Sequence, residues 1–557
     1  MKYFKKSLAL VLALTLIFGL VACSQDTAKK AKPEEAEAAP QADAELPADQ
    51  EAAPNLDLQA AEAEEARAEF EQNLAELVEA GQAYINEPAI KIDGEEVPVH
   101  VLNFYASLAS KMVNQAFQTG PFAIENRALL ELASPEDEAK TQRDAIIELA
   151  EQQIKMDYVS RKAAEKADFK APEDGSQLAA EVVGQLLGFA SQSGMDADQV
   201  LTLYYGWGND SEGLSKLIAE YFEAEQYRDF ITRQQEVSDA EIKKEFKDNQ
   251  DKYEVIKFRV MNFTPDASEF MDEAALAELA KADEYSEELD KKAAADLTVE
   301  RSEEELKANT ADRAAAMQER IKTEDDFVRL QSVYAPPQIR AQIHEHPEIT
   351  LQKMRASQLP EEMKSFLSDE KRRDGDTEVI ETPFGTWVVY FIEKGRDESR
   401  AFTTRHILVQ PEDPSEDSAW DEAKAKAESI LDEYLKGEQS EDDFAKLANE
   451  HSEDPGNQGK NGGLYEAIDA GKFVKEYEAW ALDKKRESGD VEIVKTEHGY
   501  HLIYFIGLED PLWIRECRQS LALARTKDWL DQEMEKVELE ELDGLKYVLP
   551  LDGVLSK

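Results

Sequence analysis

His406 stands in the run Arg405-His406-Ile407-Leu408-Val409 and His501 in Gly499-Tyr500-His501-Leu502-Ile503, and the stretch from Arg405 to Ile506 holds four of the chain's seven histidines. A neutral imidazole donates a hydrogen bond from one nitrogen and accepts on the other, so clustered histidines can arrange a polar site near neutral pH. Between them, Ser452-Glu453-Asp454-Pro455-Gly456 offers a carboxylate at a turn. Asp454 either serves chemistry or caps the Pro455-Gly456 turn, a common job for Asp. A histidine on a strand is by itself most often a satisfied core group, and Gly462-Gly463 by itself only marks a turn. The order of the motifs carries the signal.

The elements that would position these groups are legible. Ile407 to Val409 and His501 to Ile506 read as strands, apolar and rich in β-branched and aromatic residues. A helix is expected from Asp421 to Lys436, followed by Asp443-Phe444-Ala445-Lys446-Leu447-Ala448, the Asp454 loop, Gly462-Gly463-Leu464 and an amphipathic piece from Phe473 to Leu482. From Ala401 to Gly507 this order closely resembles the parvulin family of peptidyl-prolyl cis/trans isomerases.

The resemblance implies a chemistry. The X-Pro amide resists rotation by about 18–20 kcal/mol because of its partial double-bond character, and lowering that barrier requires neither nucleophile nor metal. A pocket must hold the proline ring, and polar groups must favour the twisted amide. Carried over residue by residue, the resemblance makes His406, Asp454 and His501 the catalytic set, with the two imidazoles hydrogen-bonded to each other. It gives Leu464, Phe473 and Tyr477 to the ring pocket, the latter two at i and i+4 of one helix, and His498 to the substrate side. It implies no cofactor and no metal. Two positions depart from the family pattern: His498 stands where many relatives have a small polar or aromatic residue, and Tyr465 where another glycine is usual. The Arg and Lys cluster of phosphate-directed parvulins is missing, so no phospho-specificity is expected.

Residues 1–22 carry lysines, then an apolar core from Leu8 to Val21, then Ala22-Cys23. This reads as a secretion signal. Its Leu-Val-Ala-Cys ending resembles a bacterial lipobox, which predicts cleavage before Cys23, diacylglycerol on its thiol and anchorage to the outer face of the bacterial cell membrane. Cys517 is the only other cysteine, so lipidation would leave it unpaired; it falls with Trp513 and Leu521 at helical spacing and reads as a buried apolar residue. A net charge of −55, from 119 acidic and 64 basic residues, excludes nucleic acid as a partner and opposes adsorption to anionic lipid, which leaves anchoring to the acyl chains. The same charge would attract basic segments of unfolded exported chains, or simply solubilise the protein.

Residues 23–55 are Ala, Glu, Pro, Asp and Gln with few apolar groups, and read as a disordered acidic tether. Residues 56–250 read as mostly helical, with helical spacing from Leu56 to Ala80, then a small hairpin turning at Asp93-Gly94, then further helices and a capping box at Ser238 to Glu241. This part resembles the N-terminal chaperone domain of the SurA and PrsA foldases. A repeat is visible: Gly375 to Ile392 aligns without gaps on Gly489 to Ile506, and Asp325-Asp326-Phe327 echoes Asp442-Asp443-Phe444. A second parvulin-like module is therefore expected within 251–397, degenerate because Trp387 replaces His501 and Arg259 replaces His406, with a charged helical insertion at 264–312. The isomerase module spans 398–508. Residues 509–557 are expected to form a helix from Pro511 to about Lys536 that packs back on the N-terminal domain, ending in a strand at Tyr547-Val548-Leu549.

The expected fold class is α+β: a mostly helical split chaperone domain carrying two parvulin-like modules, each a four-stranded antiparallel sheet with flanking helices. The expected function is a membrane-anchored foldase isomerising X-Pro bonds of exported proteins. The alternatives are a holdase that uses the parvulin fold only to bind, and a solute-binding lipoprotein, which the lack of long alternating βα units disfavours.

Overall fold

The computed structural model describes residues 82–549, apart from 115–116, 118–127, 194–195, 207, 293–298 and 457–460. The signal segment, Cys23, the acidic tether and the helical spacing that follows it lie outside the described residues. The chain divides into two units, Met1–Glu236 with Ala522–Lys557, and Val237–Leu521. Helices and antiparallel sheets make it an α+β fold.

In the first unit, β1 (Pro88–Ile92) and β2 (Glu95–Pro98) form the hairpin, with positive φ at both Asp93 and Gly94, the turn that matches strand twist. Among the described residues the helices α1 (Val99–Val113), α2 (Gln142–Lys166), α3 (Gly175–Ser193), α4 (Ala197–Tyr205) and α5 (Ser211–Arg233) follow. Their apolar faces close one core around Leu102, Ile146, Val182, Leu201 and Leu214. The chain's far end joins that core, since Val548 and Leu549 are buried in it. Arg143 on α2 donates to the carbonyl oxygens of Leu545, Val548 and Leu549 at 2.8–2.9 Å, satisfying backbone groups there. The terminal strand is not at Tyr547–Leu549 as expected. Leu539–Glu541 pairs with β1, because this sheet edge takes backbone partners regardless of polarity, while the apolar Val548 and Leu549 serve the core.

In the second unit, α6 (Asp239–Asp248) starts at a capping box between Ser238 and Glu241. The first module comprises β3 (Glu254–Phe263), α7 (Glu303–Arg320), α8 (Glu324–Tyr334), β4 (Leu351–Arg355), α9 (Glu361–Leu367), β5 (Thr377–Thr382) and β6 (Gly385–Arg396). The second comprises β7 (Ala401–Val409), α10 (Asp417–Lys436), α11 (Glu441–His451), β8 (Leu464–Asp469), α12 (Lys475–Ala481), β9 (Val491–Thr496) and β10 (Gly499–Leu508). Their sheets have the same strand order, β4-β3-β6-β5 and β8-β7-β10-β9, all antiparallel.

Side-chain contacts repeat with the strands. Arg372 lies 4.0 Å over the Phe366 ring, and Arg486 4.1 Å over Trp480. Arg259 pairs with Glu324 at the start of α8, and Arg405 with Glu441 at the start of α11. Tyr390 faces Arg259, as Tyr504 faces Arg405. This register corrects one expectation: Arg259 corresponds to Arg405, and Val260 takes the place of His406. Matching by residue polarity slid the strand by one, which on a pleated sheet moves a side chain to the opposite face.

The units divide at 236/237 and 521/522, whereas the sequence suggested 250/251 and 508/509. The difference lies in a cluster of Ile242, Phe246, Tyr253, Trp513 and Cys517, which holds α6 and the start of α13 (Leu512–Met534) in the second unit. The Arg396 guanidinium covers both the Phe246 and Trp513 rings there. Cys517 is fully buried, and burial pushes its thiol up to about 11, which suits a packing group. The end of α13 belongs to the first unit, where Thr526 meets Thr232 at 2.9 Å and Trp529 meets the ring of Tyr227.

Candidate active site

Alternation along β7 sets the site. Ile407 and Val409 point into the core under α10 and α11, so Phe402, Thr404 and His406 take the other face. On β10, Leu502 and Tyr504 join the helix-side core, leaving His501, Ile503 and Phe505 beside them. Both imidazoles thereby lie on the same side of the two central strands, buried, with ring centroids 5.2 Å apart.

A glycine makes room for this arrangement. Gly463 has a φ of +69°, and a Cβ there would come within 2.3 Å of the His406 carbonyl oxygen. Gly462-Gly463 is thus a close backbone approach behind the site as well as a turn.

Asp454 divides its two oxygens between the two roles considered for it. Oδ1 accepts from the Gly456 N–H at 3.0 Å and caps the turn. Oδ2 accepts from His406 Nε2–H at 2.9 Å and from the Tyr465 hydroxyl at 2.6 Å. Burial alone would raise the carboxyl pKa, but the hydrogen bonds from His406 and Tyr465, with the electrostatic attraction of His406 and the Gly456 N–H, hold it well below the usual carboxylate range. Asp454 is a fixed negative charge.

The apolar wall is aromatic. Tyr477 on α12 is fully buried, its hydroxyl 2.8 Å from Thr404 Oγ1, and burial drives its pKa up, so it stays a neutral phenol. The Phe473 ring lies 4.7 Å from that of Tyr477, and His406 lies 5.6 Å from Tyr477 and 6.3 Å from Phe473. Phe473 is not on the same helix face at i and i+4, as expected, because α12 begins only at Lys475. It sits in the preceding loop, fastened by the Glu478 carboxylate, which accepts from the N–H groups of Gly471, Lys472 and Phe473 at 2.8–2.9 Å.

Other expected positions fall differently. His498 lies in the β9–β10 turn, its side chain 58% exposed and beside Glu497. Leu464 pairs with Arg405, which faces α11, while Tyr465 pairs with Thr404 on the pocket side. The register therefore puts Tyr465, not Leu464, against Phe473. The expected bond between the imidazoles is not formed either. His501 Nε2 meets Thr496 Oγ1 at 3.0 Å, and the Nδ1 atoms of His406 and His501 are buried without hydrogen-bond partners. Thr404, Thr496, Tyr465 and Glu478 are the supporting residues that motif reading missed. Only Thr404 left a usable signal, two residues before His406 on the same strand face.

Burial, with a smaller push from His406, lowers the His501 pKa to about 3. An unfolded histidine takes up its proton near pH 6.5. Between these values the unfolded state binds a proton that the folded state refuses, so this group makes the fold less stable as pH falls from about 6.5 to 3, by at most about 1.4 kcal/mol per pH unit. His501→Asn should flatten that slope in denaturant melts taken at several pH values, and an unchanged slope would contradict a buried neutral ring.

Comparison with known proteins bears on this geometry. Residues 406–507 match the Rotamase family, the PPIC-type PPIase domain. This segment is a parvulin-type domain. The chaperone SurA of Pseudomonas fluorescens is 32% identical over 175 residues, 30% of this chain and 38% of that protein. The foldase protein PrsA of Geobacillus kaustophilus is 37% identical over 127 residues, 23% of this chain and 38% of the relative. The chain thus spans well under half the length of these curated relatives. A solved PrsA peptidylprolyl isomerase from Bacillus anthracis aligns over 47% of this chain and 94% of its own, at 16% identity and a TM-score of 0.18. The match begins at His406 and ends one residue after Ile506, so it contains His406, Asp454, Tyr465, Phe473, Tyr477 and His501.

Proposed function

We propose that the parvulin domain, residues 398–508, isomerises X-Pro bonds with His406, Asp454 and His501 around an aromatic ring pocket. The observation that carries this is the Asp454 carboxylate, ionised and held on His406 beside Phe473 and Tyr477. Twisting an amide withdraws charge from its oxygen and returns a lone pair to nitrogen. A fixed negative charge near the carbonyl disfavours the planar form, and apolar rings hold proline without resisting rotation.

The whole chain is proposed to be an extracytoplasmic foldase for exported proteins, anchored by lipid on Cys23. SurA and PrsA relatives support a chaperone role. Among the described residues no helix is long and apolar enough to cross a membrane. The domain plan follows: a chaperone domain at 56–250 completed by 509–557, a non-catalytic module at 251–397 and the isomerase at 398–508. Val260 and Trp387 replace both histidines in the first module, which favours binding or spacing as its role.

Two acyl chains anchor stably where one does not, so the mature protein should remain in the membrane fraction through high-salt washing. Cys23→Ser should leave precursor or shed protein, and a mature amino terminus without acyl groups by mass spectrometry would overturn the anchoring. For the foldase role, the protein should accelerate a proline-limited refolding reaction, and deletion of 398–508 should remove the acceleration while leaving suppression of aggregation. No acceleration by the intact chain would defeat the reading.

A further inference from the structure

We propose that Tyr465 is a positioning and specificity-determining residue of the isomerase site, its hydroxyl serving turnover and its ring serving substrate binding. The inference rests on the reading above and deepens it.

Three observations place Tyr465 there. Its hydroxyl donates to Asp454 Oδ2 at 2.6 Å, the same oxygen that His406 Nε2–H reaches at 2.9 Å, so one carboxylate oxygen is pinned from two sides. Its ring lies 4.9 Å from His406 and stands edge-on to Phe473 at 5.0 Å, with planes 85° apart. The Asp-Pro-Gly loop closes directly over it, since a Cβ on Gly456 would come within 2.9 Å of the hydroxyl.

These contacts divide into two functions. Without the hydroxyl, Asp454 keeps its turn cap through Oδ1 but loses one of two donors that fix Oδ2, so the charge is less firmly aimed. Without the ring, the Phe473 face loses a wall, and a proline ring would be held on fewer sides. A glycine at this position would supply neither.

The degenerate module supports the coupling. Gln352 pairs with Phe258 on β4 and β3 as Tyr465 pairs with Thr404, and that module has no Asp-Pro-Gly loop. The tyrosine and the carboxylate it holds are absent together.

The test uses the full chain with a proline-containing peptide, measuring cis/trans exchange by NMR across peptide concentrations. Tyr465→Phe should lower kcat about tenfold with KM within about twofold, the scale of one charge-assisted hydrogen bond. Tyr465→Ala should lower kcat similarly and raise KM severalfold. In an Asp454→Ala background, Tyr465→Phe should cost nothing further. Near-ultraviolet circular dichroism and denaturation midpoints check that each variant is folded. Unchanged kcat in Tyr465→Phe, an additive loss in the Asp454→Ala background, or losses that only track the unfolded fraction would overturn the inference. An unaltered chain without isomerase activity overturns the preceding reading and this one together; an active chain indifferent to Tyr465→Phe overturns this one alone.

Discussion

Phe473→Ala should lower kcat/KM for a prolyl peptide by about 30- to 100-fold, equivalent to about 2–3 kcal/mol of transition-state binding. The ring contacts Tyr477 at 4.7 Å, Tyr465 at 5.0 Å and Phe402 at 5.9 Å, so it joins the wall to the floor of the pocket. It is only half-buried in the free protein, so the loss should fall more on substrate binding than on stability. Glu478 fixes the Phe473 backbone whichever side chain it carries, so the loop should persist in the variant. Peptide exchange measured beside a denaturation midpoint checks this, and full activity in a folded variant would remove Phe473 from the pocket.

The second large effect concerns the carboxylate. Asp454→Ala strips the acceptor from both His406 and Tyr465 and removes the turn cap at Gly456, so it should lower kcat by about ten- to a hundredfold and cost some stability. Asp454→Asn separates the two roles. Its amide oxygen can cap the turn as Oδ1 does, but the charge is gone, so stability should largely return while turnover stays low. Wild-type turnover in Asp454→Asn would mean that the carboxylate serves the turn alone.

The sequence carried much of this site because its motifs follow one another in a recognisable order. The resemblance paired His406 and His501 on neighbouring strands, and Asp-Pro-Gly marked the carboxylate loop. Register was harder to read. Arg259 looked like a replacement for His406 because both are polar and near a strand centre, yet cross-strand pairing with Tyr390 makes it the counterpart of Arg405. Tyr465 was visible only as a departure from a glycine, since nothing local in sequence shows that β8 turns it toward a carboxylate eleven residues earlier. Helix starts were also blurred: Phe473 and Tyr477 have the spacing of a helix face, but the backbone N–H groups before Lys475 are taken by Glu478. The terminal strand was misplaced because apolar Tyr547-Val548-Leu549 looks like a strand, whereas burial in the helical core requires only apolarity.

The central claim is that residues 398–508 hold the isomerase. It is tested most directly by NMR exchange on one X-Pro peptide with the full chain and with the chain lacking that segment. Uncatalysed isomerisation takes tens to hundreds of seconds, so catalysis is easily read above background. The full chain should accelerate exchange, and the shortened chain, which retains the module with Val260 and Trp387, should leave it at the uncatalysed rate. Acceleration that survives the deletion, or is missing from the full chain, would contradict the account.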